Sequence, residues 1–476
     1  MQNGLHLRIS DYQSSKLKKL AQAPLSTIYE AKPFNQPVIE SGSPVGQLSK
    51  CRDKSVKDLE IYKAPLKLPE KLSPSRAMMK HTSSLSPARS TDSEDTFRKN
   101  KLNKPIPGSQ AVLLYPDQLT EHEKTEIVQY QEVFFLGEVS TKTENSFHDS
   151  DGRYKATPGD HLAYRYEIFA LLGKGTFGNV YKCYDHKRNL YVALKVTRCL
   201  QVIKDQAEVE IENLEKICDS DPEDTKYCIR FRQCFDFRGH TCICFELLSI
   251  NLYQFLRENG FQGIAKGILR RIALQILIAL RHIHSLGFIH CDIKPENILL
   301  KNKNKSSIKL IDFGSATYKC APYTSYMQSR YYRSPEIILG CGYDNKVDIW
   351  SFGCVLFELY SGYPLFTGQS ETDQLGRIMH VLGMPPLKVL CRSRRMSEFF
   401  MDDGAAILEP DSRGQINQPG GMNLSELVED IELCKFIKGC LEWDPEARLS
   451  AEEALKHPWI LKGGGRGVDR KRVWKN

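Results

Sequence analysis

Between Tyr166 and Phe245 apolar and polar residues alternate in short runs, YEIFALLG, NVYKCYD, YVALKV and CICFELL, and this period of two predicts half-buried strands. One helical stretch, from about Ile203 to Cys218, interrupts them. After Asn251 the period lengthens, and ILRRIALQILIALRHIHSLG and VDIWSFGCVLFELYSG carry the spacing of long helices. Strands followed by helices predict an α+β protein of two lobes, a small β-rich N-lobe and a larger helical C-lobe, with a ligand site in the cleft between them. The most apolar stretch, Val347 to Phe366, holds Asp348 and Glu358, so it predicts a buried core helix and not a membrane span.

Residues 1–110 show no sustained period and are rich in Ser, Pro and Lys. They offer too little apolar area to offset the entropy of ordering, which predicts a disordered tail. Ser43, Ser73 and Ser86 each precede a proline, a pattern open to two readings, phosphorylation sites or plain turns. From Gln110 the composition changes: Thr120 is placed to cap a short charged helix, and an apolar run follows, ending at Gly137. The expected organisation is a tail (1–110), an accessory segment (111–165), a folded domain (166–460) and a basic C-terminal tail (461–476).

Hydrophobic residues make up 41% of the 476 and charged residues 26%, which excludes collagen, coiled coil and a wholly disordered chain. The formal net charge is +8, but residues 1–110 carry +9 and the rest −1, so any attraction to nucleic acid or acidic membrane belongs to the tail. The body is expected to bind neither membrane nor any specific nucleic acid. Fifteen cysteines, an odd number without a CxxC pair, fit reduced thiols inside the cell. The N-terminus lacks the apolar run of a signal peptide and the second-position glycine of a myristoylation site. The expected location is the cytoplasm, with the nucleus left open because KLKK and DRKR are too short to assert import.

Gly173, Gly175 and Gly178 form a GxGxxG that continues into the strand pattern NVYKCYD, where a dinucleotide fold would open a helix. A hairpin lid whose amides approach phosphates is the geometry this implies. Lys195 lies on an apolar strand and needs an anionic partner there. At 100° per residue, Ile203, Ala207, Leu214 and Cys218 share one face of the next helix within about 60°, and of its acids Glu210 falls on that face. A Lys195–Glu210 pair, with the lysine turned towards nucleotide phosphates, accounts for both. In HCDIKPENILL, Asp292 can accept a hydroxyl proton, Lys294 can neutralise phosphoryl charge and Asn297 can hold Mg2+ through its oxygen. Asp312, in LIDFGS, supplies a carboxylate for the same metal.

In this order and spacing the motifs resemble a eukaryotic protein kinase over about Tyr166 to Ile460. DIWSFG matches that family's buried central helix, with Asp348 as its anchoring acid, and Arg448 matches the arginine that pairs with Glu336 of SPE. HCD in place of HRD, SRYYRSPE, GQSETDQLGRIMHVLGMPP and GDHLAYRYE, similar to a DH box, narrow the resemblance to the dual-specificity tyrosine-regulated kinases of the CMGC group. The segment from Leu119 to Gly137 is similar to the one that precedes the kinase domain in their class II members.

This resemblance implies transfer from ATP, with Mg2+ (or Mn2+ in its place), to Ser or Thr followed by proline, with an arginine upstream, by a monomeric enzyme. It places Asp292 and Lys294 in catalysis and Asn297 and Asp312 on the metal. It puts Leu172, Gly173, Lys174, Gly175, Thr176, Phe177, Gly178 and Val180 over the nucleotide, with Lys195 and Glu210 at its phosphates. Phe245 is the implied gatekeeper, Glu246, Leu247 and Leu248 the hinge, and Ala193 and Leu299 pack on adenine. Glu296, taken as exposed, is the candidate reader of the upstream arginine. Tyr326 matches the second tyrosine of the YxY that such kinases phosphorylate on themselves, although Thr324 stands where the first would be. Cys291 replaces the arginine that usually holds a loop phosphate, leaving Arg330 and Arg333 as its expected contacts. The rival readings are a pseudokinase-like scaffold that binds nucleotide without transfer, and a nucleic-acid binder acting through the tail.

Overall fold

A computed structural model describes residues 101–462 apart from 139, 141, 143–145, 319–326 and 411–413. The tail up to residue 100, the C-terminal residues from 463 and Tyr326 lie outside the described residues. Among the described residues no helix is long and apolar enough to cross a membrane.

Strand β1 (Lys101–Ile106) pairs antiparallel with β2 (Val133–Phe135), and between them lie helices α1 (Gly108–Leu114) and α2 (Glu121–Glu126). The accessory segment is therefore already in a strand at Lys101–Ile106, ahead of the change of composition at Gln110. In KLNKPI, Leu102 and Ile106 pack on the small core and the backbone pairs with β2, contacts too sparse in the sequence to give a local pattern. Ala111, Leu119, Ile127, Val133 and Leu136 form its small core with Tyr164. Thr120 caps α2 as expected, with Glu123 closing a capping box.

The segment is fastened to the sheet lobe by charge. Glu123 is 2% exposed and accepts from His161 Nε2 at 2.8 Å, Lys142 Nζ at 2.6 Å and Arg238 Nη2 at 3.2 Å. Burial alone would raise its carboxyl, but His161 and Lys142 outweigh burial and hold it far below the usual range. A carboxyl depressed on folding contributes stability above its unfolded pKa and loses it as pH falls towards the folded one. Glu123→Ala strands Arg238 and Lys142 in part and is expected to cost about 3 kcal/mol, read as a lower urea midpoint at neutral pH.

Six antiparallel strands make the N-lobe sheet, in the order β3-β4-β5-β6-β8-β7: β3 (His161–Leu162), β4 (Tyr166–Lys174), β5 (Gly178–Asp185), β6 (Leu190–Thr197), β7 (Phe231–Phe237) and β8 (His240–Glu246). The sheet thus takes in His161 and Leu162, ahead of the expected start at Tyr166. On β6 the buried Val192, Leu194 and Val196 alternate with Ala193 and Lys195, so one face feeds the core and the other meets the cleft. Strand β7, an edge strand with mostly unburied residues, has no clean alternation and escapes the sequence pattern.

Helix α3 (Gln201–Asp219) buries Ile203, Ala207, Glu210, Leu214 and Ile217, the face expected of it. The larger lobe is helical, built on α4 (Leu252–Glu258), α5 (Lys266–Ser285) and α6 (Lys346–Ser361). Helix α6 is buried from Val347 to Leu359, as its continuous apolar run predicts, and packs within one large core with α5. Short strands β9 (Phe288–Ile289), β10 (Ile298–Leu300), β11 (Ile308–Leu310) and β12 (Thr317–Tyr318) carry the loops of the cleft. Glu336 and Arg448, both about fully buried, meet through two bonds of 2.6 and 2.9 Å.

Candidate active site

The β4–β5 hairpin closes the top of the site. Gly175 N donates to Gly178 O at 2.8 Å, which folds the turn back on itself. A Cβ on Gly178 would stand 2.2 Å from the Val196 carbonyl, so β6 dictates glycine there. Gly173 has open space around it, and Leu172, Lys174 and Thr176 are exposed, which leaves the loop backbone accessible to a ligand.

Lys195 sits opposite Val180, and its Nζ donates to both oxygens of Glu210, at 2.8 and 2.7 Å. Asp312 Oδ1 is 3.8 Å from the same nitrogen. Burial works against the ammonium, yet Glu210 and Asp312 outweigh it and raise the lysine's pKa, so it stays charged. Burial raises the Glu210 carboxyl, with Lys195 opposing. Asp312 has φ 63°, a left-handed conformation unusual outside glycine, and its side chain is 38% exposed. Phe313 beside it is buried against His290, with ring centroids 5.1 Å apart.

Cross-links hold the loop before β10 to its surroundings. Buried Asp348 on α6 accepts from the His290 and Cys291 amides at 2.8 and 2.9 Å and meets His284 Nε2 at 2.8 Å. Cys291, at φ 64°, is buried, and burial pushes its thiol up. Asp292 accepts from Lys294 Nζ at 2.7 Å and Asn297 Nδ2 at 3.0 Å on one oxygen, and from Ser329 Oγ at 2.7 Å on the other. Burial would raise this carboxyl, but the Lys294 charge and the Lys294 and Ser329 hydrogen bonds hold it below the usual range. Asn297 spends its amide nitrogen on Asp292, so its oxygen is the atom left to a ligand. One amide and one carboxylate oxygen, from Asn297 and Asp312, are hard donors that fit Mg2+.

The expected hinge also takes shape. Ala193 pairs with Phe245, and the Glu246 side chain turns away from the cleft to Lys309 at 2.9 Å and to the Arg230 amide at 2.9 Å. What Glu246 offers the cleft is therefore backbone. Leu299 bridges to Asn251 and is half-buried.

Three expectations change. Glu296 is half-buried, not exposed, and its Oε2 is buried without a hydrogen-bond partner among the described residues. It faces an acid the sequence did not single out for recognition, Glu358 of α6, whose carboxyl burial and the Glu296 charge raise to about 7 against a hydrogen bond from Tyr332 Oη at 2.7 Å. Of the two arginines expected at a Tyr326 phosphate, Arg333 is buried and donates to Glu371 at 2.6 Å and to the Gln328 carbonyl, and Arg330 donates to the Gln369 carbonyl at 2.5 Å. Ser329 is the other residue that sequence reading missed, although SRYYRSPE contains it. Its contact with Asp292 spans 37 positions that only the fold closes.

The family model described as protein kinase domain matches residues 166–460. The dual specificity tyrosine-phosphorylation-regulated kinase 3 of Rattus norvegicus is 40% identical over 424 residues, 82% of this chain and 72% of that protein. The human dual specificity tyrosine-phosphorylation-regulated kinase 4 is 41% identical over 377 residues, 77% of this chain and 72% of its own length. A probable serine/threonine-protein kinase dyrk2 of Dictyostelium discoideum is 44% identical over 367 residues, 75% of this chain and 40% of its own.

Proposed function

Since the chain belongs to the protein kinase family and, within it, to the dual-specificity tyrosine-phosphorylation-regulated kinases, we propose that its cleft phosphorylates Ser and Thr that precede proline and follow an arginine. A protein kinase of this kind acts on proteins with ATP and a divalent metal. Mg2+ is the metal we assign, held by Asn297 and Asp312, and when bound it neutralises phosphate charge.

The observation that carries the reading is the convergence on Asp292. Its carboxylate, ionised at neutral pH, accepts the proton of the incoming hydroxyl as that oxygen bonds to the γ-phosphorus and the bond to the ADP oxygen breaks. A carboxylate held below the usual range is a weak base, so it orients the hydroxyl and takes the proton late. Lys294, 2.7 Å away, balances the charge that gathers on the phosphoryl oxygens. Lys195, oriented by Glu210, holds the α and β phosphates. Among the described residues no feature of the cleft favours a scaffold that binds without transfer.

Glu296 and Glu358 support the arginine preference. A guanidinium would satisfy the unpartnered Oε2 and two acids at once. Because Glu358 is raised to about 7, it loses its charge as pH falls through neutrality. The preference for an arginine peptide over its alanine counterpart is expected to drop about tenfold between about pH 8 and about pH 6. In Glu358→Gln the preference is expected to be weak and flat with pH. An unchanged preference in kcat/KM across that range would remove this role.

Tyr326 is the proposed site of self-modification. Arg330 and Arg333 are the arginines nearest in sequence, and a phosphate there would compete with Glu371 for Arg333. Tyr326→Phe is expected to abolish phosphotyrosine on the bacterially expressed chain, measured by mass spectrometry, and phosphotyrosine elsewhere at undiminished stoichiometry would refute the assignment.

A further inference from the structure

Three elements of the N-lobe bring His148, Cys199 and His240 together. His148 lies on the segment leading into the sheet, bridged to Tyr154; Cys199 follows β6; His240 opens β8. One donor atom from each lies within 4.8 Å of the other two. The imidazole rings of His148 and His240 are 5.9 Å apart, centroid to centroid.

His240 is fully buried. Its Nδ1 sits 2.7 Å from the Thr197 carbonyl, an oxygen that can only accept, so Nδ1 carries the proton and Nε2 the lone pair. That Nε2 is buried and has no hydrogen-bond partner among the described residues. A buried polar atom left unpaired costs about 1–3 kcal/mol, a cost that a ligand at this place would remove. A histidine fixed by a carbonyl on one nitrogen and free on the other is also how metal-bound imidazoles are oriented.

We propose that His148, Cys199 and His240 form a binding site for zinc. Two imidazole nitrogens and a thiolate are a borderline-soft set that suits Zn2+ and disfavours Mg2+ and Ca2+. Binding forms one Zn–S and two Zn–N bonds and releases the Cys199 thiol proton to solvent, with a fourth position left for water. At bond lengths of about 2.0–2.3 Å, tetrahedral donors stand about 3.3–3.8 Å apart, so the cluster has to tighten by about 1 Å. His148 is exposed on an irregular segment and is the ligand able to make that move.

The site would staple the segment before the sheet to the sheet itself. Cys199 N already donates to the Gly152 carbonyl at 2.9 Å, and Gly152, at φ 74°, is packed so closely that a Cβ there would stand 3.1 Å from Cys199 Sγ. The next residue, Arg153, reaches the phosphate hairpin and donates to the Gly175 carbonyl at 2.9 Å. A cation at the cluster would therefore brace the hairpin through Gly152 and Arg153.

Co2+ is the probe, titrated under reducing conditions into the full chain carrying Cys234→Ser and Cys391→Ser, which removes two exposed thiols. One equivalent is expected to give a sulfur-to-cobalt charge-transfer band in the near ultraviolet and the intense visible absorption of a tetrahedral ion, both bleached by Zn2+. Cys199→Ser is expected to abolish the charge-transfer band, and His148→Ala to weaken binding about 100-fold or more. Both residues are at least partly exposed, so these variants keep the fold, checked by an unchanged urea midpoint without metal. Absence of the band in folded parent, or its persistence in Cys199→Ser, would overturn the assignment.

Discussion

Asp292→Asn is expected to lose about three decades or more of phosphoryl transfer while ATP binding persists. The amide removes the charge that takes the hydroxyl proton. The contacts can survive the change, since the amide oxygen can still accept from Lys294 Nζ and Asn297 Nδ2, at present 2.7 and 3.0 Å, while the amide NH2 donates to Ser329 Oγ, whose hydroxyl oxygen can accept. Lys195 and the β4–β5 hairpin, the groups proposed to hold the nucleotide, lie on other elements and are untouched. The loss should therefore fall on kcat, with the KM for ATP little changed, in a steady-state assay on a protein substrate. An equal loss in nucleotide affinity, measured by calorimetry, would mean that Asp292 holds the loop together more than it handles the proton.

Arg448→Ala is expected to destabilise the larger lobe by about 3–5 kcal/mol. The side chain is fully buried, pairs with Glu336 and donates to the Glu442 and Lys346 carbonyls at 3.0 and 2.9 Å. Its guanidinium also lies over the Trp350 ring, 5.2 Å from the centroid. Truncation leaves a carboxylate at 1% exposure without its cation and removes one donor from each of two carbonyls. The double variant Arg448→Met with Glu336→Leu should recover part of the loss, since removing both charges spares the unpaired one. Urea midpoints of the parent, the single and the double variant read this directly, and a single variant within about 1 kcal/mol of the parent would contradict it.

The residues that local periodicity and residue chemistry could reach are those whose neighbours in sequence define their surroundings. Glu210 could be picked from the acids of α3 because a helical wheel reports which side chains share its apolar face, and the Lys195 pairing followed from the cost of an unpaired ammonium. Thr120 as a cap and α6 as a core helix were legible for the same local reason. What stayed hidden depends on chain segments meeting across long gaps. Ser329 reaches Asp292, Tyr332 and Glu296 meet Glu358, and Arg333 is spent on Glu371, none of which a single stretch encodes. The strand at Lys101–Ile106 is another case, because it forms by pairing with Val133–Phe135 and packing Leu102 and Ile106 on a core supplied by later residues. Glu296 looked exposed beside a proline and an asparagine, and its burial and the acid near it, Glu358, come from a distant helix.

The most direct test expresses the full chain in bacteria beside its Asp292→Asn variant and maps every phosphorylated residue by mass spectrometry. The account predicts phosphate on the parent, including Tyr326, and none on the variant. Folded parent that binds ATP and carries no phosphate, or a variant phosphorylated like the parent, would contradict it.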